Sequence, residues 1–321
     1  MPRHARIDNI GLLQHVIFRG IERKDIFLGN EDREDFIARL DHLLEETRTI
    51  CYAWAMLNNH VHLLLMPTER PLSHFMRRLL TGYAVSFNVR HRRSGHLFQN
   101  RYKSIVCDQD SYLMELVRYI HLNPVRAKII DSLDELASYR WCGHRQLIGL
   151  GSEQLIAADD LYALLGPRKR AARQSYLNFL ADGLKLKIGK LSIGGRRSSQ
   201  LLDDSLTDHD AYDDRILGGG HFVERVLKEL EQDERLMSLD EIVTAVSAYF
   251  GISELDLSQP SKVRSVVKAK AVVCYLAIRV NKHTGGEVGR RLSYTSSATS
   301  RAIKRGQELC DEDEKLKDLT V

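Results

Sequence analysis

The stretch LNNHVHLLLMP, residues 57–67, decides the fold because it reads as a turn followed by a buried strand. Asn58 and Asn59 are typical of a tight turn, and the apolar run after them predicts a strand. His60 and His62 interrupt the apolar pattern, and side chains two residues apart in a strand point to the same face. The pair is compatible with incidental packing, a proton-transfer pair or two-thirds of a metal site.

Strand and helix patterns alternate on either side of this stretch. Three predicted amphipathic helices begin at Asn30, Leu72 and Asp110, and Pro124 is expected to stop the third. The order β-α-β-β-α-β, followed by a helix, predicts an α+β fold with a ferredoxin-like, split βαβ antiparallel sheet. The predicted strands cover residues 12–20, 50–57, 61–67 and 96–107.

The rest of the chain predicts two further regions after a first domain over 1–150. Residues 151–220 read as a helical connector and flexible linker, because their second half is rich in glycine and aspartate. Residues 221–321 return to helical periodicity and predict a compact all-α domain. Its predicted helices cover 222–230, 238–250, 261–281, 286–292 and 297–309.

The composition is that of an ordinary globular protein, with 43% hydrophobic and 28% charged residues. No window approaches about 18 uninterrupted apolar residues, which argues against a membrane-spanning helix. The first residues, MPRHARIDNIGLL, lack the apolar core of a signal peptide. The five cysteines are scattered without a C-x-x-C pair, as expected for reduced thiols. We therefore expect a cytoplasmic protein without a membrane partner.

Positive charge is concentrated directly after the histidine pair. The net charge is only +4, but the stretch from Arg70 to Cys107 contains no Asp or Glu. A run of one sign is often a solvated face, yet its length and its position beside two histidines favour contact with a polyanion. The cations of the strip are Arg70, Arg77, Arg78, Arg90, Arg92, Arg93, Arg101 and Lys103.

Aromatic residues interleave with these cations. Tyr83, Phe87, Phe98 and Tyr102 could stack on unpaired bases, as aromatic side chains do in sites for single-stranded nucleic acid. For Phe87 and Phe98 a position in the core is the more ordinary interpretation. The roles of the two tyrosines stay open at this point.

A second candidate motif, MELVRYIHLNPVRA (114–127), carries a tyrosine and an asparagine four residues apart. On a helix, Tyr119 and Asn123 lie on the same face, one turn apart. A helix across the sheet could present this phenol and amide beside His60 and His62. Two imidazoles and a neutral oxygen leave open positions on Mg²⁺ or Mn²⁺, and a metal-bound phosphate can be attacked by tyrosine. Each residue alone has an ordinary structural role, so the hypothesis rests on the set.

Residues 1–150 resemble the single-tyrosine HUH transposases, in particular the REP-associated tyrosine transposases. The matching stretches, in order, are PRHARI, HVIFRGIERKDIF, YAWAMLNNHVHLLL, GHLFQNRYKS and YLMELVRYIHLNPVRA. The resemblance implies a nuclease domain that cleaves and rejoins single-stranded DNA with a divalent metal. It implies that His60 and His62 bind the metal and that Asn123 is a further ligand. Tyr119 matches the nucleophile, which forms a covalent phosphotyrosine link.

The same resemblance implies the DNA partner. Family members recognise imperfect hairpins in repeated extragenic palindromes, so single-stranded DNA and DNA hairpins are expected partners. Related transposases often dimerise, whereas REP-associated members act as monomers, which leaves monomer and homodimer open. The expected location is the bacterial cytoplasm, in association with the nucleoid. The candidate DNA-binding residues are Arg77, Arg78, Arg90, Arg92, Arg93, Arg101 and Lys103.

The last hundred residues resemble the C-terminal helix-turn-helix domain of the replication initiator DnaA. The matching stretches are VSAYFGISELDL, RSVVKAKAVVCYLAIRV and GEVGRRLSYTSSATSRAIKRGQE. The resemblance implies duplex DNA binding in the major groove. The segment YTSSAT (294–299) departs from the family's Arg-Asp-His-Thr-Thr-like signature, so base specificity does not carry over. A protein-interaction module is the alternative, and the candidate DNA contacts are Ser296, Ser297, Thr299, Ser300, Arg301 and Lys304.

The sequence therefore predicts a metal-dependent transposase or single-strand endonuclease. A non-catalytic regulator that binds palindromes with the same fold is the alternative, and the intact site residues argue against it. A replication initiator with the same active-site chemistry is a third hypothesis, which the absence of a recognisable helicase or primer-related segment disfavours.

Overall fold

The chain divides into two compact units, an N-terminal unit, Met1–Val226, and a C-terminal unit, Leu227–Val321, each with its own apolar core. None of the described helices is long and apolar enough to cross a membrane. Most of the predicted flexible linker, 186–193 and 195–210, lies outside the described residues. A computed structural model describes residues 6–151, 154–185, 194, 211–234, 236–281, 283–317 and 319.

One sheet organises the N-terminal unit. Its strands are β1 (Leu13–Arg19), β2 (Ile50–Met56), β3 (His60–Met66), β4 (Lys103–Cys107) and β5 (Ile216–Leu217). They follow the spatial order β2-β3-β1-β4-β5. The first four pair antiparallel, as predicted, but β5 runs parallel to β4. The α+β fold is confirmed. The strand β5 adds one parallel pair to the predicted antiparallel sheet, and it was not predicted because two apolar residues within the predicted linker leave no strand periodicity to detect.

The predicted hairpin is present between β2 and β3. Asn58 and Asn59 form its turn, and the Leu57 amide donates to the His60 carbonyl at 2.9 Å. Five buried residues follow His60 in β3, so apolar packing fixes the strand on both faces. This packing holds the two histidines of β3 in a defined orientation.

The fourth strand is shorter than the predicted 96–107. It begins only at Lys103, because residues before it pair separately with the end of β1. The Gln99 amide donates to the Arg19 carbonyl at 2.9 Å, and Phe98 forms an isolated bridge with Gly20. The apolar pattern of the segment indicated its pairing partner but not the break in the middle.

Two long helices, α1 (Asn30–Thr47) and α2 (Leu72–Arg90), cover one face of the sheet at the predicted positions. Phe18 of β1 packs on Phe36 with ring centroids 5.8 Å apart, and Phe36 packs on Tyr83 at 5.3 Å. The Tyr83 hydroxyl donates to the Ile26 carbonyl. Tyr83 and Phe87 are both buried, so they belong to this core and offer no surface on which a base could stack.

Six helices lie between β4 and β5 in the part of the chain that the structure describes, and they include the predicted third helix. The first of them, α3, lies over the opposite face of the sheet, where Tyr119 contacts the rings of His15 and His62. The last two of the six lie within residues 151–220, in the predicted helical connector. The six are α3 (Gln109–His121), α4 (Asn123–Arg126), α5 (Leu133–Ser138), α6 (His144–Ile148), α7 (Ala158–Leu165) and α8 (Lys169–Lys185).

The C-terminal unit is helical throughout its described residues, as predicted. A π-helical turn, Leu276–Val280, ends the predicted long helix early. Residues 293–295 connect two helices of this unit, and both the helix-turn-helix assignment and a role in DNA binding stay predictions. The helices are α9 (Gly220–Glu234), in which the unit boundary falls, α10 (Leu239–Phe250), α11 (Glu254–Ser258), α12 (Arg264–Tyr275), α13 (Gly285–Leu292), α14 (Ser296–Glu312) and α15 (Glu314–Lys317).

Close packing and local caps define this second unit. A Cβ on Gly306 of α14 would lie 2.0 Å from the Ala271 carbonyl oxygen of α12, so only glycine permits this helix crossing. Four helices begin with a side chain that accepts a hydrogen bond from their own first turn. These caps are Ser238 for α10, Ser253 for α11, Thr284 for α13 and Thr295 for α14.

Candidate active site

Two buried histidines from the central strands β1 and β3 are hydrogen-bonded to each other. Ile17 pairs with His62 in the antiparallel register, which places His15 diagonally beside His62 on one face of the sheet. His15 Nε2 and His62 Nδ1 are 2.9 Å apart, and the rings stack with centroids 5.2 Å apart. His15 therefore fixes the orientation of the His62 ring.

His60, at the start of β3, lies beside this pair and is only partly buried. Its ring centroid is 5.1 Å from that of His62, at an angle of 67°. Its Nδ1 is hydrogen-bonded to the Asn59 side-chain oxygen at 2.6 Å. Because both β3 histidines use Nδ1 in this way, their Nε2 atoms stay available. Metal-binding histidines commonly show this arrangement, in which the second nitrogen is held by a protein group.

Both β3 histidines are held in their neutral form. Burial lowers the pKa of His60 to about 4, and the nearby Arg19 guanidinium acts in the same direction. Burial also holds the pKa of His62 well below its ordinary value, helped by the neighbouring His15 and His60 imidazoles. Neutral imidazole is the form that binds a metal ion, so this pair is ready for ligation at pH 7.

Tyr119 lies on α3 next to the histidines. Its ring centroid is 6.1 Å from that of His62 and 5.8 Å from that of His15, both in edge-on contacts. The side chain is only 8% exposed. The Arg126 guanidinium lies 5.4 Å from the centre of the Tyr119 ring. The fold thus brings the predicted nucleophile to the predicted histidine pair.

Asn123 follows one turn after Tyr119, but in a different helix. The prediction that Pro124 stops the helix is wrong, because α3 already ends at His121 and Pro124 occupies the first turn of α4. Proline is tolerated there, since that position needs no backbone donor. The Asn123 side-chain nitrogen donates to the Tyr119 carbonyl at 3.0 Å, which leaves its amide oxygen for another partner.

The donor chemistry of these residues is compatible with a divalent ion. Within the described parts of the chain, no group of three or more His, Cys, Asp or Glu residues could hold a metal. The predicted set is of another kind, with His60, His62 and the neutral amide of Asn123. Two neutral imidazoles and an oxygen suit Mn²⁺ and are acceptable to Mg²⁺, and they leave positions for water or phosphate.

Comparison with known families gives a match to the first part of the chain. Residues 10–123 match the family model described as IS200-like transposase. This part of the chain is therefore similar to IS200-like transposases. The IS200-like domain, residues 10–123, contains the two β3 histidines, Tyr119 and Asn123, whereas α5–α8 and the C-terminal unit lie outside the match.

A solved structure and the curated proteins were also compared with the chain. A REP-associated tyrosine transposase bound to a REP hairpin is similar at 14% sequence identity, with a TM-score of 0.40. The similarity covers 50% of this chain and 90% of that chain. No curated protein matches the chain.

The basic candidates of the IS200-like domain differ in their surroundings. Arg90 forms ion pairs with Asp32 at 2.6 Å and with Asp35 at 3.7 Å. Arg78 forms an ion pair with Glu46. These two cations therefore neutralise acidic residues of α1, which weakens their attraction for phosphate. The remaining candidates are exposed, namely Arg77, Arg92, Arg93, Arg101 and Lys103.

Two of these exposed arginines line a groove between α2 and the segment 95–102. The groove has a volume of about 690 Å³, an apolar floor and no acidic residue among the described residues that line it. Arg6, Arg77 and Arg101 supply its positive charge. The Arg6 guanidinium lies 3.9 Å from the centre of the Tyr102 ring and donates to the Tyr102 carbonyl at 2.9 Å. Positive charge beside aromatic and apolar surface is typical of sites for single-stranded nucleic acid.

The candidates in the C-terminal unit lie along α14 and do not share one environment. Thr299 is buried, and its hydroxyl donates to the Thr295 carbonyl at 3.1 Å, so its side chain faces the unit's own core. The side chains of the other candidates are exposed on α14, and a solvent-facing helix surface is what contact with DNA requires. The exposed candidates are Ser296, Ser297, Ser300, Arg301 and Lys304.

Sequence reasoning missed two residues of the site. His15 lies within a correctly predicted strand, and a histidine among apolar residues was a usable signal. Its relation to His62 depends on the register between β1 and β3, which the sequence alone does not give. Arg126 lies within the quoted motif 114–127, but the break between α3 and α4 determines its position over the Tyr119 ring.

Proposed function

We propose that the chain is a transposase or endonuclease that cleaves and rejoins single-stranded DNA through a covalent link to Tyr119. The observation that carries this proposal is the contact of the Tyr119 ring with His62 and His15, at 6.1 and 5.8 Å between centroids. The match of residues 10–123 to the IS200-like transposase family supports the reaction class.

The reaction transfers one phosphodiester bond to the enzyme and back to DNA. The Tyr119 phenol oxygen bonds to phosphorus while the bond between phosphorus and one deoxyribose oxygen breaks. The proton lost by the phenol balances the proton gained by the leaving deoxyribose oxygen. The new phosphotyrosine keeps the energy of the original diester, so a second deoxyribose hydroxyl can displace Tyr119 and join a new strand.

The surrounding residues hold the reactive groups in place. For His62 to ligate through Nε2, its neutral ring must carry the proton on Nδ1, which then donates to His15 Nε2. His60 Nδ1 donates to the Asn59 side-chain oxygen, so both Nε2 atoms would be free to ligate. With the Asn123 amide oxygen, they would hold Mg²⁺ or Mn²⁺. A bound divalent ion supplies Lewis-acid polarisation of the scissile phosphate.

The proposed substrate is a DNA hairpin of a REP-like palindrome with a single-stranded flank. The resemblance of residues 1–150 to REP-associated transposases motivates this choice. The groove lined by Arg6, Arg77 and Arg101 supports it, because its charge and its apolar floor suit unpaired nucleotides. Arg92, Arg93 and Lys103 add exposed positive charge for phosphate contacts.

The test uses a hairpin oligonucleotide carrying a label at the 5′ end or at the 3′ end, incubated with Mn²⁺. We expect one of the two labels to become covalently attached to the wild-type protein and neither to the Tyr119→Phe variant. Tyr112→Phe is the matched control, since Tyr112 is another buried tyrosine of α3, and it should retain the adduct. Full-rate cleavage by Tyr119→Phe, or no adduct with either label, contradicts the proposal.

The alternative is a palindrome-binding regulator without catalysis. It shares the fold and the groove but needs neither histidine of β3. A variant with His60→Ala and His62→Ala separates the two functions, because a regulator would keep both its hairpin affinity and its cellular role. The transposase proposal predicts that the cellular role is lost while hairpin affinity is retained.

A second proposal concerns the C-terminal unit, which we infer binds duplex DNA along α14. The exposed side chains of Ser296, Arg301 and Lys304 on this helix favour it. Lys304→Glu should weaken duplex binding. It should also reduce the slope of log Kd against log salt concentration by about one, because one phosphate contact is lost. Lys262→Glu makes the same charge change at an exposed residue outside α14 and should have little effect. Equal effects of both variants would contradict a specific interface.

The oligomeric state and the place of action are further predictions of this proposal. We expect a monomer or a homodimer, which sedimentation of the protein with and without hairpin DNA would distinguish. We also expect a protein of the bacterial cytoplasm that associates with the nucleoid, which imaging of a fluorescent fusion would check.

A further inference from the structure

Tyr176 of α8 is a fully buried tyrosine that joins two other segments of the N-terminal unit. Its hydroxyl is 2.8 Å from His121 Nδ1, at the end of α3, and 2.8 Å from His144 Nδ1, at the start of α6. A hydroxyl carries one proton, so it donates to one neutral imidazole and accepts from the Nδ1–H of the other. One phenol thereby ties α8 to both segments.

A second contact between α3 and α8 involves the residue directly before Tyr119. The Arg118 guanidinium lies 4.0 Å from the centre of the Phe179 ring and donates a long hydrogen bond to the Phe179 carbonyl at 3.4 Å. Gly183, one turn later on α8, is so close that a Cβ there would lie 2.4 Å from Arg118 Cδ. Arg118 is therefore packed against α8 along the whole of its side chain.

A third contact links α8 to Tyr119 through one intermediate side chain. The Gly183 carbonyl accepts a long hydrogen bond from Arg126 Nη2 at 3.4 Å. The same guanidinium lies 5.4 Å from the centre of the Tyr119 ring. Arg126 is thus held between α8 and the aromatic ring of the candidate nucleophile.

We propose that α8 helps to form the active site and that Tyr176 is a positioning residue. The Tyr176 hydroxyl holds the end of α3, which keeps the Tyr119 phenol in position to attack the scissile phosphate. This inference rests on the proposed cleavage reaction. Attack by a tyrosine requires the reacting atoms to be held closely, and a displacement of about 1 Å can slow a reaction about 100-fold. Tyr119 and His121 lie two residues apart on one rigid helix, so a shift of the end of α3 moves both.

On this proposal, two parts of the chain together make up the active site. All four predicted site residues lie within the IS200-like domain, residues 10–123. The contacts that hold α3 on the α8 side come from Tyr176, Phe179 and Gly183, which lie outside that domain. The matched domain therefore supplies the reacting groups, and the following helices supply part of their alignment.

The test compares two tyrosine-to-phenylalanine variants of the full chain. Tyr176→Phe removes the hydroxyl bonded to His121. Tyr162→Phe removes a buried hydroxyl of α7 that donates to the Leu147 carbonyl at 2.7 Å and accepts a hydrogen bond from Arg173 of α8 at 3.3 Å, so the control is bonded to α8 rather than to α3. Single-turnover adduct formation is measured with the labelled hairpin and Mn²⁺, below the unfolding temperature of both variants. Tyr176→Phe should lower the rate constant at least about tenfold and leave the hairpin Kd within about twofold. Tyr162→Phe should change neither.

A second, more conservative variant keeps the inference testable if Tyr176→Phe does not fold. Phe179→Leu removes the ring beside Arg118 at a half-buried position and should slow the reaction by about threefold, again without loss of hairpin affinity. Wild-type rates in Tyr176→Phe and Phe179→Leu would overturn the inference. Equal slowing by Tyr162→Phe would also overturn it, because that result indicates a general packing effect.

Failure of the proposed reaction itself would be recognised separately. If the wild-type protein forms no adduct, the proposed cleavage is wrong, and the positioning of α3 is then decided by hydrogen exchange. Amides of residues 109–126 should exchange faster in Tyr176→Phe than in Tyr162→Phe, because only the former loosens α3. Equal exchange in the two variants overturns the positioning role.

Discussion

In the C-terminal unit, four helices are capped by a side chain at their own N-terminus, whereas α1, α2 and α3 of the N-terminal unit have no such bond. The buried polar atoms that lack a protein partner are distributed in the opposite way. Among the described residues, the C-terminal unit has one buried side-chain polar atom without a protein partner, in Ser247, and the N-terminal unit has the rest. The buried histidines are all N-terminal, namely His15, His62, His121 and His144.

The C-terminal unit is therefore specified largely by local sequence signals, whereas the N-terminal unit carries buried polar groups that belong to its candidate active site. Caps and a close helix crossing help to specify the C-terminal fold, and its buried Lys270, Asn281 and Thr299 are hydrogen-bonded to backbone carbonyls of the same unit. The N-terminal unit instead buries imidazoles and guanidinium groups next to Tyr119, which lowers its stability. Such departures from good packing are expected where a protein keeps groups for binding or chemistry.

The largest effect that this comparison predicts comes from removing the histidine pair of β3. The double variant His60→Ala/His62→Ala should lower the rate constant of adduct formation more than about a thousandfold, or about 4 kcal/mol of activation free energy. Both proposed imidazole ligands are lost, so added Mn²⁺ should not restore the rate. Single-turnover assays measure this, and a variant that still cleaves at a tenth of the wild-type rate contradicts a metal role for the pair.

Acid should destabilise the N-terminal unit more than the C-terminal unit. Burial lowers the folded-state pKa of His144 to about 4, against an ordinary value of 6.5. The unfolded chain therefore takes up a proton below about pH 6.5 that the folded chain refuses until about pH 4. Stability present above pH 6.5 is lost as the pH falls to 4, by on the order of 3 kcal/mol for this residue.

The C-terminal unit provides the reference for this effect. Its one described histidine, His283, is only half-buried, whereas the N-terminal unit has four buried histidines among its described residues. Hydrogen exchange resolved by peptide, at pH 7 and pH 4.5 with correction for intrinsic rates, follows both units in one sample. Equal losses of amide protection in the two units would contradict the prediction that acid destabilises the N-terminal unit more than the C-terminal unit.

A smaller effect is expected from substituting His15 and Gln14, neighbouring residues of β1 whose side chains point to opposite faces of the sheet. His15→Leu removes the group that orients His62 and should slow adduct formation by about 10-fold to 100-fold. Gln14→Leu is the matched control, because Gln14 is buried next to it in the strand and no protein atom of the described chain bonds its amide. That variant should react normally and unfold at an equal or higher temperature. Equal slowing by both variants contradicts the role of His15.

The smallest predicted effect tests the local signals of the C-terminal unit. Ser238→Ala removes the N-cap of α10 and should lower the free energy of unfolding of that unit by about 1 kcal/mol. Ser247→Ala, in the same helix, removes a buried hydroxyl without a protein partner and should cost little. Urea unfolding of the two variants measures the difference. Neither substitution should change adduct formation, and a loss of cleavage in either would link the unit to the chemistry.

Much of this organisation could be predicted from the sequence where the signal is local. The hairpin around Asn58 and Asn59, the start of α1 and both ends of α2 follow from turn residues and apolar periodicity. His60, His62 and Tyr119 could be singled out because they depart from that periodicity or belong to a long matching stretch. Residue type and spacing carry these features.

The rest depends on pairings between distant parts of the chain. The β5 strand, Ile216–Leu217, is too short to leave a pattern, and its parallel pairing with β4 needs the whole fold. The bond between His15 and His62 follows from strand register. The bond between Tyr176 and His121 joins residues 55 apart in sequence, and no periodicity within either helix indicates it.

The most direct test of the account is the identity of the residue that becomes linked to DNA. After reaction with the hairpin and Mn²⁺, nuclease trimming and proteolysis leave a nucleotide on one peptide, which tandem mass spectrometry can assign. The account predicts a phosphodiester on Tyr119. A nucleotide on Tyr112 or on another residue, or no modified peptide under conditions that cleave the hairpin, would contradict it.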